Sequence, residues 1–246
     1  MRLTVLGCAG TFPGPDSPCS SYLVEYGGFR LLVDVGNGSI GALQRHAGLV
    51  DVDAVFVSHL HGDHFLDLVP YAYVRRHHPG APLPRLQLHG PAGTGSRLAA
   101  AGGSSDDMPR NVYDISPLTA GCREIGPFRA TLVRMPHPVE CYGIRVTAGG
   151  RTLAYSADTG PGQPLLELAR DADVLLCEAA FGSRNGPPDL HLTGRQAGEH
   201  AAAAGVGRLL LTHLVAWDDE ERTCAEAAAA YDGRLDSVAS GDRYDI

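Results

Sequence analysis

The chain has 246 residues, 44% of them hydrophobic, which is enough to bury a full core as a single domain over residues 1–246. Its formal net charge of −8, from 28 acidic and 20 basic residues, excludes a broad basic footprint for long nucleic acid. It leaves a small phosphorylated substrate open, and no apolar run approaches about 18 residues, so no membrane span is expected.

The first predicted element is a strand over Arg2 to Gly7, with no charged stretch, apolar helix and cleavage site before it. No secretion signal and a cytoplasmic location are therefore expected. Strands over Ser21 to Tyr26 and Arg30 to Val35 meet at Gly27-Gly28 as a tight hairpin, and a helix follows over Ser39 to His46. A strand over Ala54 to Ser58 precedes helices over Leu66 to His77 and Gly93 to Ala101, with a strand over Arg85 to His89 between them. Ala101 to Pro109 reads as an exposed loop, and Arg75 and Arg76 as a solvated helix end. Further strands are expected over Asn111 to Ile115, Phe128 to Met135, Tyr142 to Ala148, Thr152 to Ser156, Val174 to Glu178 and Arg208 to Thr212. Helices are expected over Gln163 to Ala169, Thr193 to Ala204 and Glu220 to Tyr231, with Thr193 and Gln196 offering a capping box. Six cysteines without paired spacing read as reduced, mostly buried thiols.

The segment Ser58-His59-Leu60-His61-Gly62-Asp63-His64 puts three histidines and an aspartate directly after an apolar strand. Imidazole nitrogen and carboxylate oxygen are ligands that Zn²⁺ prefers, and such a density of them makes poor core. His137 ends a strand between Pro136 and Pro138, which hold it rigid. Asp158 follows the strand that ends at Ser156, where a carboxylate can bridge two cations or form an Asx-turn before Gly160. His213 closes the apolar run Leu209-Leu210-Leu211-Thr212.

This His-x-His-x-Asp-His run, with the later histidines and aspartate in order, resembles the metallo-β-lactamase superfamily. The resemblance implies an α/β fold, a four-layer αββα sandwich of two mixed sheets flanked by helices. It implies one metal held by His59, His61 and His137 and a second held by Asp63, His64 and His213, with Asp158 shared. The two divalent ions, Zn²⁺ first and Mn²⁺ or Fe²⁺ as alternatives, would lie about 3.5–4 Å apart with an acidified water between them. Asp34 resembles the family's buried aspartate and is expected to orient a ligand histidine.

Leu175-Leu176-Cys177-Glu178-Ala179-Ala180-Phe181 and Pro188-Asp189-Leu190-His191-Leu192-Thr193 resemble the ribonuclease Z branch, nearest to atypical class II cyclic-nucleotide phosphodiesterases. That resemblance implies that His191, paired with Glu178, protonates a leaving oxygen while Asp63 orients the attacking water. A small phosphodiester, with a 3′,5′-cyclic nucleotide such as cyclic AMP first, is the expected substrate. No long basic arm for gripping tRNA is present, and Ala180 stands where threonine is common. RNA 3′-end processing and thioester or lactone hydrolysis remain rivals on the same fold, and a homodimer is compatible with the branch.

Overall fold

Alternation at period two puts Leu3, Val5, Leu31 and Phe56 on one side of their strands and Leu6, Leu32 and Val55 on the other. A sheet apolar on both faces must be covered on both. The computed structural model describes residues 1–103, 107–181 and 190–246. It contains a first sheet of β1 (Arg2–Gly7), β2 (Ser21–Tyr26), β3 (Phe29–Val33), β4 (Ala54–Phe56), β5 (Leu86–Gly90) and β6 (Tyr113–Pro117). The second sheet holds β7 (Gly121–Ile125), β8 (Phe128–Arg134), β9 (Tyr142–Ala148), β10 (Arg151–Tyr155), β11 (Val174–Glu178), β12 (Arg208–Thr212) and β13 (Arg234–Ser237). The C-terminal β14 (Arg243–Asp245) returns to pair antiparallel with β1.

The strand orders are β14-β1-β2-β3-β4-β5-β6 and β13-β12-β11-β10-β9-β8-β7. In each sheet an antiparallel half, through β1-β2-β3 or β7-β8-β9-β10, passes into a parallel half. The two halves of the chain thus repeat one layout. Leu3, Tyr22, Val33 and Phe56 from the first sheet and Phe128, Leu132, Ile144 and Tyr155 from the second are buried in one core between the sheets. Helices α1 (Ser39–Leu43), α2 (Gly62–Phe65), α3 (Leu68–His77), α4 (Thr94–Ala101) and α5 (Asp107–Val112) accompany the first sheet. Leu6, Leu32 and Val55 pack with Leu43, Phe65, Leu68 and Leu98 in a separate core there. Helices α6 (Gln163–Ala169), α7 (Gly194–Ala203) and α8 (Glu220–Ala228) cover the second sheet, so the architecture is the expected αββα sandwich. Both halves of the Thr193–Gln196 capping box are formed at the start of α7.

Four expectations need correction. The helix expected over Leu66 to His77 is α3, which begins only at Leu68, and an unanticipated short helix, α2, precedes it; Asp67 Oδ2 between them accepts from the Ile40 amide at 3.0 Å. Ala101 still belongs to α4, and α5 begins at Asp107, so both ends of the expected loop are helical; residues 104–106 lie outside the described residues. The Pro188-Asp189 part of the later motif also lies outside them. Arg75 is buried, at 7% exposure, because the segment after α3 folds back and the Pro84 carbonyl accepts from its Nη2 at 2.8 Å. Arg76 alone keeps the solvated position. Three strands, β7, β13 and β14, were not anticipated.

Candidate metal centre

Open sheets with parallel strands present their functional loops at the carboxyl ends of those strands. Here the residues singled out by sequence follow the ends of β3 (Asp34), β4 (His59 to His64), β10 (Asp158), β11 (Glu178, its last residue) and β12 (His213), with His137 in the β8–β9 loop. Asp34, Ala157 and His213 take left-handed backbone angles, φ 54°, 52° and 59°. Such strain costs about 1–3 kcal/mol per residue and persists only where surroundings enforce it. Gly36 and Gly10 permit close approach: a Cβ on Gly36 would lie 2.1 Å from the Asp63 carbonyl oxygen, and one on Gly10 would lie 2.5 Å from that of His213. Gly36→Ala is therefore expected to destabilise the fold by about 1–3 kcal/mol, read as a fall in the urea midpoint, because backbone and not a flexible side-chain end must yield.

His59 Nε2 lies 3.1 Å from His61 Nδ1, which lies 3.2 Å from His137 Nε2. Asp158 Oδ2 faces the same group, 3.6 Å from His59 and 4.0 Å from His137. Tetrahedral coordination with Zn–N of about 2.0–2.1 Å implies ligand–ligand edges of about 3.3–3.4 Å. Beside it, Asp63 Oδ2 lies 3.6 Å from His64 Nε2 and 3.7 Å from His213 Nε2. Asp158 reaches this second group too, Oδ1 at 3.2 Å from His64 and Oδ2 at 3.5 Å from His213. All seven residues expected as ligands converge: the ligand atoms of His59, His61, His137 and Asp158 form one group, those of Asp63, His64 and His213 a second, and those of Asp158, His191 and His213 a third.

The donor set fits divalent cations on its own chemistry. His64 Nε2 and Asp158 Oδ1 are both buried, lie 3.2 Å apart and meet no well-aligned hydrogen-bond partner, which suits them to ligate a cation. Burial holds His59 well below the usual imidazole range and lowers His137 to about 4, which keeps both neutral and able to ligate. Burial likewise works against a charged His64, but Asp158 and Asp34 outweigh it and raise that ring well above its usual range. Burial pushes Asp158 up, and His213, His64 and His59 pull it well below the usual carboxylate range. The anionic pocket thus calls for positive charge at the point that Nε2 of His64 faces.

The other ring nitrogens are held in place. Fully buried Asp34 accepts from His64 Nδ1, Ser58 Oγ and Tyr155 OH, each at 2.8 Å, and from the Ser58 amide at 2.7 Å. Its expected orienting role thus has a geometry, with His64 as the histidine. Ser58 Oγ lies 3.0 Å from His59 Nδ1, and Ser20 Oγ lies 2.8 Å from His213 Nδ1. The Thr11 amide donates to Asp63 Oδ2 at 2.8 Å. Ser20, Ser58, Tyr155 and Thr11 were not singled out from sequence. Only Ser58, by adjoining His59 at a strand end, carried a local signal.

Glu178 is fully buried, and its Oε1 accepts from His191 Nδ1 at 2.9 Å and from the Thr159 amide at 2.6 Å. Its Oε2 accepts from the Ala180 and Leu192 amides, each at 3.3 Å. Burial pulls the His191 imidazole down, but Glu178 outweighs it and raises the ring to about 9. His191 Nδ1 lies 4.0 Å from Asp158 Oδ2, and its side chain is 13% exposed. A histidine whose protonated form the Glu178 carboxylate favours therefore stands at the rim of the cluster, held by that carboxylate.

Residues 29–214 match the family described as "Beta-lactamase superfamily domain". An uncharacterized protein of Mycobacterium tuberculosis is 45% identical over 259 residues, covering 100% of this chain and 92% of its own length. The probable metallo-hydrolase YhfI of Bacillus subtilis is 31% identical over 98% of both chains. Its crystal structure superposes with a TM-score of 0.90 at 28% identity, over 99% of this chain and 98% of that one. A ribonuclease Z of Haloferax volcanii is 27% identical over 100% of this chain and 95% of its own.

Proposed function

The chain belongs to the metallo-β-lactamase superfamily and is a metal-dependent hydrolase, and from that premise we propose that it is a dinuclear phosphodiesterase acting on a small phosphodiester, a 3′,5′-cyclic nucleotide first. The observation that carries this reading is the Glu178–His191 pair at the edge of the seven-residue cluster. Acyl transfer can proceed without a positioned acid, whereas an alkoxide leaving phosphorus departs far better when protonated.

In this reading His59, His61 and His137 hold one divalent ion and Asp63, His64 and His213 the other, with Asp158 shared. Bound there, two such ions would neutralise charge on the phosphoryl group and lower the pKa of water to about 7. Asp63, fixed by the Thr11 amide, orients the attacking water and takes its proton. As the phosphorus–O3′ bond breaks, His191 gives its proton to O3′, leaving the 5′-nucleotide. Glu178 holds Nδ1, so Nε2 is the nitrogen that delivers the proton. Zn²⁺ suits the nitrogen-rich donor set, and Mn²⁺ or Fe²⁺ fit the same atoms.

Asp34→Asn is expected to weaken metal binding about 10–100-fold, because the His64 ring loses the carboxylate that fixes its tautomer. Competition with a chelator measures it, and unchanged affinity would remove Asp34 from that role. Full-length similarity to a ribonuclease Z, at 27% identity, keeps RNA 3′-end processing as the second reading. Metal-loaded protein offered cyclic AMP, cyclic GMP, short RNA and precursor tRNA in competition separates them. Preferential hydrolysis of a cyclic nucleotide supports the proposal, and faster cleavage of precursor tRNA overturns it.

A further inference from the structure

Four large apolar side chains are exposed among the described residues: Phe12, Val50, Tyr73 and Trp217. Two of these stand together. The Phe12 and Trp217 rings have centroids 5.0 Å apart at 33°, and Trp217 is 67% exposed. An aromatic ring left this open on a surface is a contact surface for something else.

Both rings are carried by loops that build the metal centre. Phe12 follows Thr11, whose amide binds Asp63 Oδ2, and Trp217 is four residues past His213, within about 14 Å along an extended chain. The two loops are tied together by the Ala9–Leu214 bridge and by the Gly10 amide donating to the Leu214 carbonyl at 2.9 Å. The two rings therefore stand on loops tied to each other and to Asp63 and His213 of the cluster.

The geometry points to Phe12 and Trp217 as a stacking subsite for the nucleobase of the substrate, which rests on the nucleotide reading above. A base is flat, uncharged and without a claim on the cations, so it needs an aromatic face beside the phosphate site, whatever its hydrogen-bonding edge. The patch comprises two rings, too small for a protein interface, which needs about 1,000 Å² or more. Stacking of this kind is sequence-tolerant, so the subsite selects nucleotides over sugar phosphates and discriminates weakly among bases.

Trp217 is the sole tryptophan of the chain, which makes its fluorescence a direct reporter. Metal-loaded protein titrated with adenosine 5′-monophosphate is expected to show saturable quenching that ribose 5-phosphate does not produce. Phe12→Ala should weaken the nucleotide about 5–100-fold in the same titration. In turnover of cyclic AMP, Phe12→Ala and Trp217→Ala should raise KM by a similar factor, well beyond any fall in kcat, and Trp217→Phe should restore most of it. Unchanged fluorescence, equal binding of ribose 5-phosphate, or an unmoved KM in both alanine variants would overturn the subsite. Quenching by the nucleotide in a protein that turns over no cyclic nucleotide would support the subsite and sink the phosphodiesterase reading.

Discussion

Asp158→Ala is expected to strip metal from both groups at once and to cut turnover by about 10³-fold or more. Asp158 faces both: its Oδ1 lies 3.2 Å from His64, and its Oδ2 lies 3.6 Å from His59 and 3.5 Å from His213. Losing ions that bring the pKa of water from 15.7 to about 7 removes nearly all nucleophile at neutral pH, so the stated loss is a lower bound. The fold should survive, since Asp158 lies after β10 and outside both apolar cores. Metal analysis and far-UV circular dichroism on one sample check both halves. A variant that keeps full metal and turnover would show that Asp158 is not the shared group.

His191→Ala is expected to lower turnover of a cyclic nucleotide by about 10²–10⁴-fold while metal content is unchanged. Glu178 would lose one donor but keep the Thr159, Ala180 and Leu192 amides, so the truncation does not leave a bare buried carboxylate. The loss should depend on the leaving group. A substrate such as bis(p-nitrophenyl) phosphate, whose phenolate departs without a proton, should be affected far less than cyclic AMP. Equal losses on both substrates would make His191 a structural residue, and no loss on either would favour the thioester or lactone hydrolase rival.

The cluster was legible because its residues follow apolar strands, because four of them fall within six consecutive positions, and because their order resembles a known family. The chain reads as strand-then-ligand at Ser58, Met135, Ser156 and Thr212, and polar groups ending such runs have few structural uses. Beyond Asp34 and Ser58, what holds these ligands was not legible. Ser20 reaches His213 across 193 residues and Tyr155 reaches Asp34 across 121, from one sheet to the other, and no local pattern encodes such contacts.

The missed strands have a common cause. β7, β13 and β14 each lie at a sheet edge, and Arg234–Ser237 and Arg243–Asp245 contain no fully buried side chain. Edge strands carry polar and charged residues on their open side, so the apolar alternation that marks β2 or β10 is absent from them. Arg75 misled for a related reason. Its position at the end of α3 suits a solvated cation, and only the return of the chain at Pro84 covers it.

The account depends on seven side chains holding two cations, and metal stoichiometry tests that most directly. Protein loaded with Zn²⁺ and dialysed should retain about two ions per chain, with His137→Ala and His213→Ala each retaining about one. Wild-type protein that retains no ion, or both variants retaining the full complement, would contradict the arrangement and the chemistry drawn from it.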